Sequence, residues 1–185
     1  MKTAVSYSSV CTQYDRLREL SRKAAHDSIP DVVTNKDGMA ILKSTVSLGG
    51  LDFLAYKTLE EWEQSGERIA QWDWEAVRKS YRNHPKRFEL SIWHKDSTLC
   101  GASIGRPTYS GNKLRLDFIE ANPLGSPLNG LITDIILVSS RVYARAIGAS
   151  QLRIMHPVNE RVRDHYMSKG DFSYNEKGNF CYQEL

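Results

Sequence analysis

An α+β fold, in which a mostly antiparallel sheet is flanked by helices, follows from three features of the sequence. The hydrophobic period changes from helical to alternating after Arg87. A Gly-bearing loop, Asn122 to Gly130, opens a long helical pattern. A short apolar strand, a second helix and a closing hairpin then complete the chain. A chain of 185 residues, 41% hydrophobic and 25% charged, is long enough to bury one sizeable core. One domain over residues 1–185 is expected, with residues 1–30 as an N-terminal helical extension.

The elements can be justified in order. From Thr12 to Asp27, Tyr14, Leu17, Leu20 and Ala24 recur at three and four residues, the apolar stripe of an amphipathic helix, and Ile29-Pro30 ends it. Asn35-Lys36-Asp37-Gly38 reads as a turn. Met39 to Leu48 and Leu51 to Tyr56 read as short extended runs broken by Gly49-Gly50. Thr58 and Glu61 have capping-box spacing, in which hydroxyl and carboxylate each satisfy an orphan backbone N–H, so a helix is expected from Leu59 with Trp62 inward. Asp73 is placed to cap the next helix, whose apolar side carries Trp74, Val77 and Tyr81, and the residue before Pro85 is expected to leave the helical region.

Phe88, Leu90 and Ile92 alternate with Glu89, Ser91 and Trp93. Lys95-Asp96-Ser97 turns the chain, Leu99 to Ile104 returns, Ser110-Gly111-Asn112 turns again, and Leu114, Leu116 and Phe118 line a third strand. The result is an antiparallel meander. Leu131 to Ile147 then forms a helix with Gly148 in the capping position, and Leu152 and Ile154 form a strand closed by Pro157. Glu160 to Lys169 is helical, and Phe172 to Tyr174 with Asn179 to Gln183 makes the closing hairpin.

Composition excludes several function classes. The longest apolar stretch, Leu131 to Val138, is interrupted by Thr133 and Asp134 and falls short of a membrane span. Met1 to Val10 lacks the apolar core of a secretory leader, so a cytoplasmic location is expected. Cys11, Cys100 and Cys181 are widely spaced and read as reduced thiols, and the five histidines show no metal-ligand spacing, so no metal is expected. The net charge is +3, with basic residues gathered in two clusters: Arg78, Lys79, Arg82, Lys86 and Arg87, and then Arg141, Arg145, Arg153, Arg161, Arg163 and Lys169. The first reads as a solvated helix face. The second is expected to surround a site for acidic ligands.

That site is expected where the final helices meet the sheet. The mouth of a strand facing a helix N-terminus favours anions, because unpaired N–H groups and the helix dipole both attract them. Asn159 and Tyr166 stand seven residues apart on the last helix, which stops at Gly170 with Phe172 just beyond. Glu120 shares the parity of Leu114, Leu116 and Phe118, which puts a carboxylate at a strand end on an otherwise apolar face, while Asp117 has the opposite parity.

In this order of elements, and in the spacing of Asn159, Tyr166, Gly170 and Phe172, the chain resembles the GNAT N-acetyltransferase superfamily over roughly Met39 to Leu185. Asp171 intervenes between Gly170 and Phe172, where the family has a Gly-Phe pair. The resemblance implies a GNAT-like mixed, mostly antiparallel sheet with an extra N-terminal helix. It also implies that acetyl-CoA, the acyl donor, threads its pantetheine between two splayed strands and rests its pyrophosphate on amides of the loop. Gly125, Asn129 and Gly130 are the loop residues expected to hold it, with Asn159 at the pantetheine. The leading Gln or Arg of the family loop is absent, and Pro127 removes a backbone donor.

Acyl transfer from a thioester to an amine requires a neutral nucleophile, an acceptor for its proton, donors for developing negative charge, and an acid for the departing thiolate. Glu120, desolvated among apolar neighbours, is the first candidate base and Asp117 the second. Tyr166 is the candidate acid by the resemblance. The alternatives are two satisfied carboxylates, Asn159 as a helix cap and Tyr166 as a core aromatic. Cys100 reads as a core thiol, and Arg106 lies on a loop that an acceptor would approach. The leading function is acyl transfer to an amine of a small molecule, a protein or a nucleobase. A catalytically inactive protein-binding module is one alternative. The other is a nucleic-acid-associated protein that stacks bases on Trp72, Trp74 and Tyr81. The N-terminal helix can cover its own core or that of a second copy, which leaves a homodimer open.

Overall fold

A computed structural model describes residues 6–185. The first five residues, part of the stretch expected to lack a secretory leader, lie outside the described residues. Helix α1 (Tyr7–Ser28) begins earlier than its apolar stripe because the Ser6 hydroxyl accepts the Ser9 amide, and Ile29 ends it in extended conformation. Its inner face is the expected one only in part: Tyr14 and Leu17 pack against the core, and Leu20 and Ala24 do not. Arg18, Ser21 and Ala25 are buried, whereas Leu20 is exposed. The Arg18 guanidinium sets this rotation by donating to the carbonyls of Pro85 and Arg87, at 2.8 and 2.9 Å.

Strands β1 (Val32–Thr34) and β2 (Ala40–Leu42) form a separate hairpin around the expected turn, and a 3-10 turn leads to β3 (Val46–Gly49). The run from Leu51 to Tyr56 is not extended. Asp52 accepts the Ala55 amide and starts α2 (Phe53–Glu63) six residues before the helix expected from Leu59. Thr58 is therefore inside the helix, its hydroxyl donating back to the Leu54 carbonyl, and the Asp cap prevails over the capping-box spacing. Asp73 caps α3 (Trp74–Tyr81) as expected.

The meander is β4 (Phe88–His94), β5 (Thr98–Pro107) and β6 (Lys113–Ala121); α4 (Ile132–Ala146), β7 (Gln151–Met155), α5 (Glu160–Met167), β8 (Ser173–Asn175) and β9 (Phe180–Glu184) follow. The seven-stranded sheet has the order β3-β4-β5-β6-β7-β9-β8, antiparallel except between β6 and β7. One apolar cluster lies between the sheet and α1 and α4, with Leu116, Ile136, Tyr143 and Ile154 at its centre. A second lies under α2 and α3, built on Leu59, Trp62, Trp74 and Ile104. No helix among the described residues is long and apolar enough to cross a membrane.

A bulge in β6 corrects the expected parity. The register against β5 shifts between Ile104 and Gly105, so that Phe118 faces Ile104 while Leu116 faces Gly105, and Asp117 is the extra residue. Leu114 and Leu116 belong to the α1–α4 core, whereas Phe118 packs into the α2–α3 core. Glu120 is buried as its parity suggested, but on the opposite face, together with Asp117.

Four buried tyrosines tie stability to alkaline pH. Burial pushes the hydroxyls of Tyr56 and Tyr143 up to about 12. It also raises those of Tyr81 and Tyr166, and at Tyr81 the hydrogen bond to Asp117 adds to the shift. A folded-state value above the ordinary one of roughly 10 gives stability that is complete below pH 10 and is lost as pH rises through about 12. We expect the urea midpoint to fall above pH 10, with tyrosinate absorbance from these groups rising together with loss of circular dichroism. Ionisation of all tyrosines in the native state would contradict this.

Candidate functional site

β6 and β7 pair in parallel only from Lys113–Gln151 to Leu116–Ile154. Beyond that point the bulge at Asp117 and the end of β7 at Met155 let the strands diverge, and a cavity of about 520 Å³ opens between them. Asp117, Glu120, Asn159 and Tyr166 all line it. A second cavity, of about 560 Å³, lies over the loop before α4 and is lined by Gly125, Asn129 and Gly130. Ala121, Asn122, Ile132, Thr133 and His165 line both, so the two form one groove across the site. All seven residues singled out in the sequence thus lie along it.

Their surroundings differ from those expected. The Glu120 carboxylate is not among apolar neighbours but at the centre of four donors. Arg68 donates from Nε to Oε1 at 2.6 Å and from Nη2 to Oε2 at 3.0 Å, and the indole N–H groups of Trp72 and Trp74 reach Oε2 at 3.1 and 2.6 Å. The Arg68 side chain, 2% exposed, comes from the segment between α2 and α3 that straps over the cavity. Asp117 is also held, by Arg115 Nε at 2.6 Å and by the Tyr81 hydroxyl.

The Asn159 side chain accepts the Val162 amide at 2.9 Å and caps α5, with its residue still on the cavity wall. Tyr166 is 8% exposed, and burial is the main cause of its raised pKa, with the Cys181 thiol adding to it. It is therefore a neutral O–H donor at neutral pH. His165 Nε2 lies 3.0 Å from Thr133 Oγ1; burial, then Lys169, lower its pKa and favour the neutral ring.

At the loop, Gly125 and Gly130 have positive φ. A Cβ on Gly130 would sit 2.9 Å from Lys36 Cβ, because the β1–β2 turn docks there. Asn35, 6% exposed, donates its amide to the Pro127 carbonyl at 2.9 Å, and the Lys36 amide reaches the Asn129 carbonyl at 2.9 Å. The N-terminal hairpin therefore fixes the loop. Leu131, the residue before α4, makes no side-chain cap, so the first-turn amides of that helix, whose residues line the groove, lack a protein partner of that kind.

The basic clusters do not frame the site as expected. Of the second cluster only Arg161 lines the cavity, whereas Arg141, Arg153 and Arg163 lie over Phe172, Phe180 and Tyr174. In the first, Arg78 lies over Tyr56 and Lys79 pairs with Glu75. Trp74 and Tyr81 are buried, so they offer no face for base stacking. Arg106 bonds His84 and lies over Tyr81, away from the cavity. Cys100 is buried, and burial raises its thiol, as befits a core residue. Among the described residues no group of three His, Cys, Asp or Glu is arranged to hold a metal.

Sequence reasoning missed Arg68, Trp72 and Trp74 as the partners of Glu120, and Asn35 as the brace of the loop. No local periodicity carries those pairings, since their partners lie 46 to 92 residues away.

No protein-family model and no curated protein match the chain. Solved structures do. Spermidine N-acetyltransferase from Vibrio cholerae in complex with CoA and spermine is 11% identical, covers 76% of this chain and 96% of its own, and has a TM-score of 0.57. Ard1 from Thermoplasma volcanium is 10% identical over 76% of this chain and 98% of its own, with a TM-score of 0.57. Arabidopsis thaliana Naa50 in complex with the bisubstrate analogue CoA-Ac-MVNAL is 12% identical over 75% of this chain and 95% of its own, at 0.51. The chain has the fold of the GNAT acetyltransferases, as the resemblance in its sequence implied.

Proposed function

We propose that this protein is a cytoplasmic acyltransferase that takes its acyl group from acetyl-CoA and passes it to an amine. The observation that carries the reading is the divergence of β6 and β7 beyond Leu116 and Ile154, which opens a groove from the Glu120 side to the uncapped start of α4. The residues present suit CoA. Amides at the start of α4, together with Gly125, Asn129 and Gly130, offer donors to a pyrophosphate. Pro127 lies before α4, and its carbonyl is turned to Asn35, so its missing N–H falls outside the first turn of that helix. When bound, acetyl-CoA would supply a thioester whose carbonyl carbon accepts the amine.

Asn159 lies beside the path for the pantetheine arm, and its fixed cap holds α5 against it. Tyr166 keeps its proton at working pH and offers it to the departing sulfur. Glu120 and Asp117 define the acceptor side, their carboxylates fixed by Arg68, the two indoles, Arg115 and Tyr81. Two of the solved structures named above are complexes with CoA and spermine and with the bisubstrate analogue CoA-Ac-MVNAL, which supports an amine acceptor.

The test combines binding and turnover. Acetyl-CoA is expected to raise the melting temperature in a concentration-dependent way, equivalent to about 2.7 kcal/mol at a hundredfold excess over its dissociation constant. Amines offered as a panel should then release CoA thiol. Absence of both effects would reject the reading in favour of a GNAT-like binding module without catalysis, which the donors already filling Glu120 also suit.

A further inference from the structure

We infer that His156 is the general base that takes the proton from the acceptor amine, an assignment that rests on the acyltransfer reading. Glu120 is engaged by four fixed donors and Asp117 by Arg115 and Tyr81. Another group on the cavity wall must therefore accept a proton. His156 lines the cavity, is exposed within it, and stands two residues past Ile154, where the pairing of β7 with β6 ends.

Its backbone is the more telling feature. His156 is a non-glycine residue at φ 49°, a conformation that L-residues rarely adopt. It is held there by its amide, which donates to the Asn179 carbonyl at 2.8 Å, and Asn179 is itself at φ 48°. Two left-handed residues joined by this hydrogen bond hold His156 on the cavity wall, with Pro157 stiffening the chain after it. Backbone strain retained beside a cavity is characteristic of a positioned functional side chain. The other histidine on the cavity wall, His165, is engaged with Thr133 and lies at the junction with the loop groove.

The titratable and charged groups around the same cavity are Asp117 and Glu120 on β6, Glu67 and Arg68 on the strap, and Arg161, His165 and Tyr166 on α5. An amine that reaches the site as the free base sheds one proton as it bonds to the carbonyl carbon, and an imidazole nitrogen on the cavity wall is a suitable acceptor for it. His156 takes one proton as the amine nitrogen forms the C–N bond; the C–S bond breaks and the sulfur leaves as a thiol, with its proton from Tyr166. The products are an amide and free CoA. The imidazolium then releases its proton to solvent and the Tyr166 oxygen takes one up, which restores both groups.

The test uses the full chain with acetyl-CoA and whichever amine the wild type accepts. Asparagine tolerates a positive φ, so His156→Asn should fold and keep the full acetyl-CoA melting shift. Its kcat should fall about 100-fold at pH 7, and the acidic limb of the wild-type kcat/KM profile should vanish. His156→Gly should recover activity on addition of imidazole. A wild type that binds acetyl-CoA and turns over, while His156→Asn keeps its rate and its pH profile, overturns this assignment alone. A wild type with neither binding nor turnover overturns the acyltransfer reading and this assignment with it.

Discussion

Glu120→Ala should lower the unfolding free energy by roughly 3–5 kcal/mol, the range for removing one member of a buried charged pair. The large effect arises from what is left behind. Arg68, with its side chain 2% exposed, would lose both carboxylate contacts and remain buried as an unpaired cation, and the indole N–H groups of Trp72 and Trp74 would lose their acceptor. The loss is not a measure of what the pair adds to the fold, because desolvation of both ions offsets much of their attraction. Replacing both, as Arg68→Met with Glu120→Leu, should therefore return the part of the stability lost to the unpaired cation, while the two indole N–H groups still lack their acceptor. Urea unfolding of the wild type and the two variants measures this directly. A cost below about 1 kcal/mol for Glu120→Ala would mean that water reaches the cluster and screens it.

Gly105→Ala should cost about 3 kcal/mol, at the upper end for overpacking a well-packed interior. A Cβ at this position would lie 2.0 Å from the Arg115 carbonyl oxygen and 2.8 Å from Leu116 Cα. Both are backbone atoms of the neighbouring strand, so no side-chain rotation relieves the clash, and the register shift between Ile104 and Gly105 must open instead. That shift also directs Phe118 and Glu120 to the α2–α3 side and begins the divergence from β7, so stabilisation by acetyl-CoA should weaken as well. Gly111→Ala provides the contrast. It has positive φ but nothing within 4 Å of the added carbon, so its cost is limited to backbone strain of about 1 kcal/mol, and ligand stabilisation should persist. Equal costs at the two sites would remove the argument for close strand approach.

The meander, the helix from Ile132 and the final strand–helix–hairpin were legible because each is written in local signals: alternation, a capping Asp, a Gly after the last turn. The errors occurred where two local signals competed. Thr58 and Glu61 had the spacing of a cap, but Asp52 lay upstream with an available amide three residues on, and it started α2 first. Parity failed along β6 because one extra residue, Asp117, reverses every side chain after it, and nothing in the alternation of Leu114, Leu116 and Phe118 marks where that residue falls.

Residues of the groove could be named individually, but what surrounds them could not. The sequence by itself determined the order of helices and strands, the glycine loop ahead of α4, and a carboxylate buried near the end of β6, since short-range chemistry dictates each. Only the tertiary structure decided that this carboxylate meets a guanidinium and two indoles, that Asn35 braces the loop, and that His156 lies free on the cavity wall. Those contacts join segments far apart in the chain, and their formation depends on strand register and helix packing, which are set by burial of the whole core.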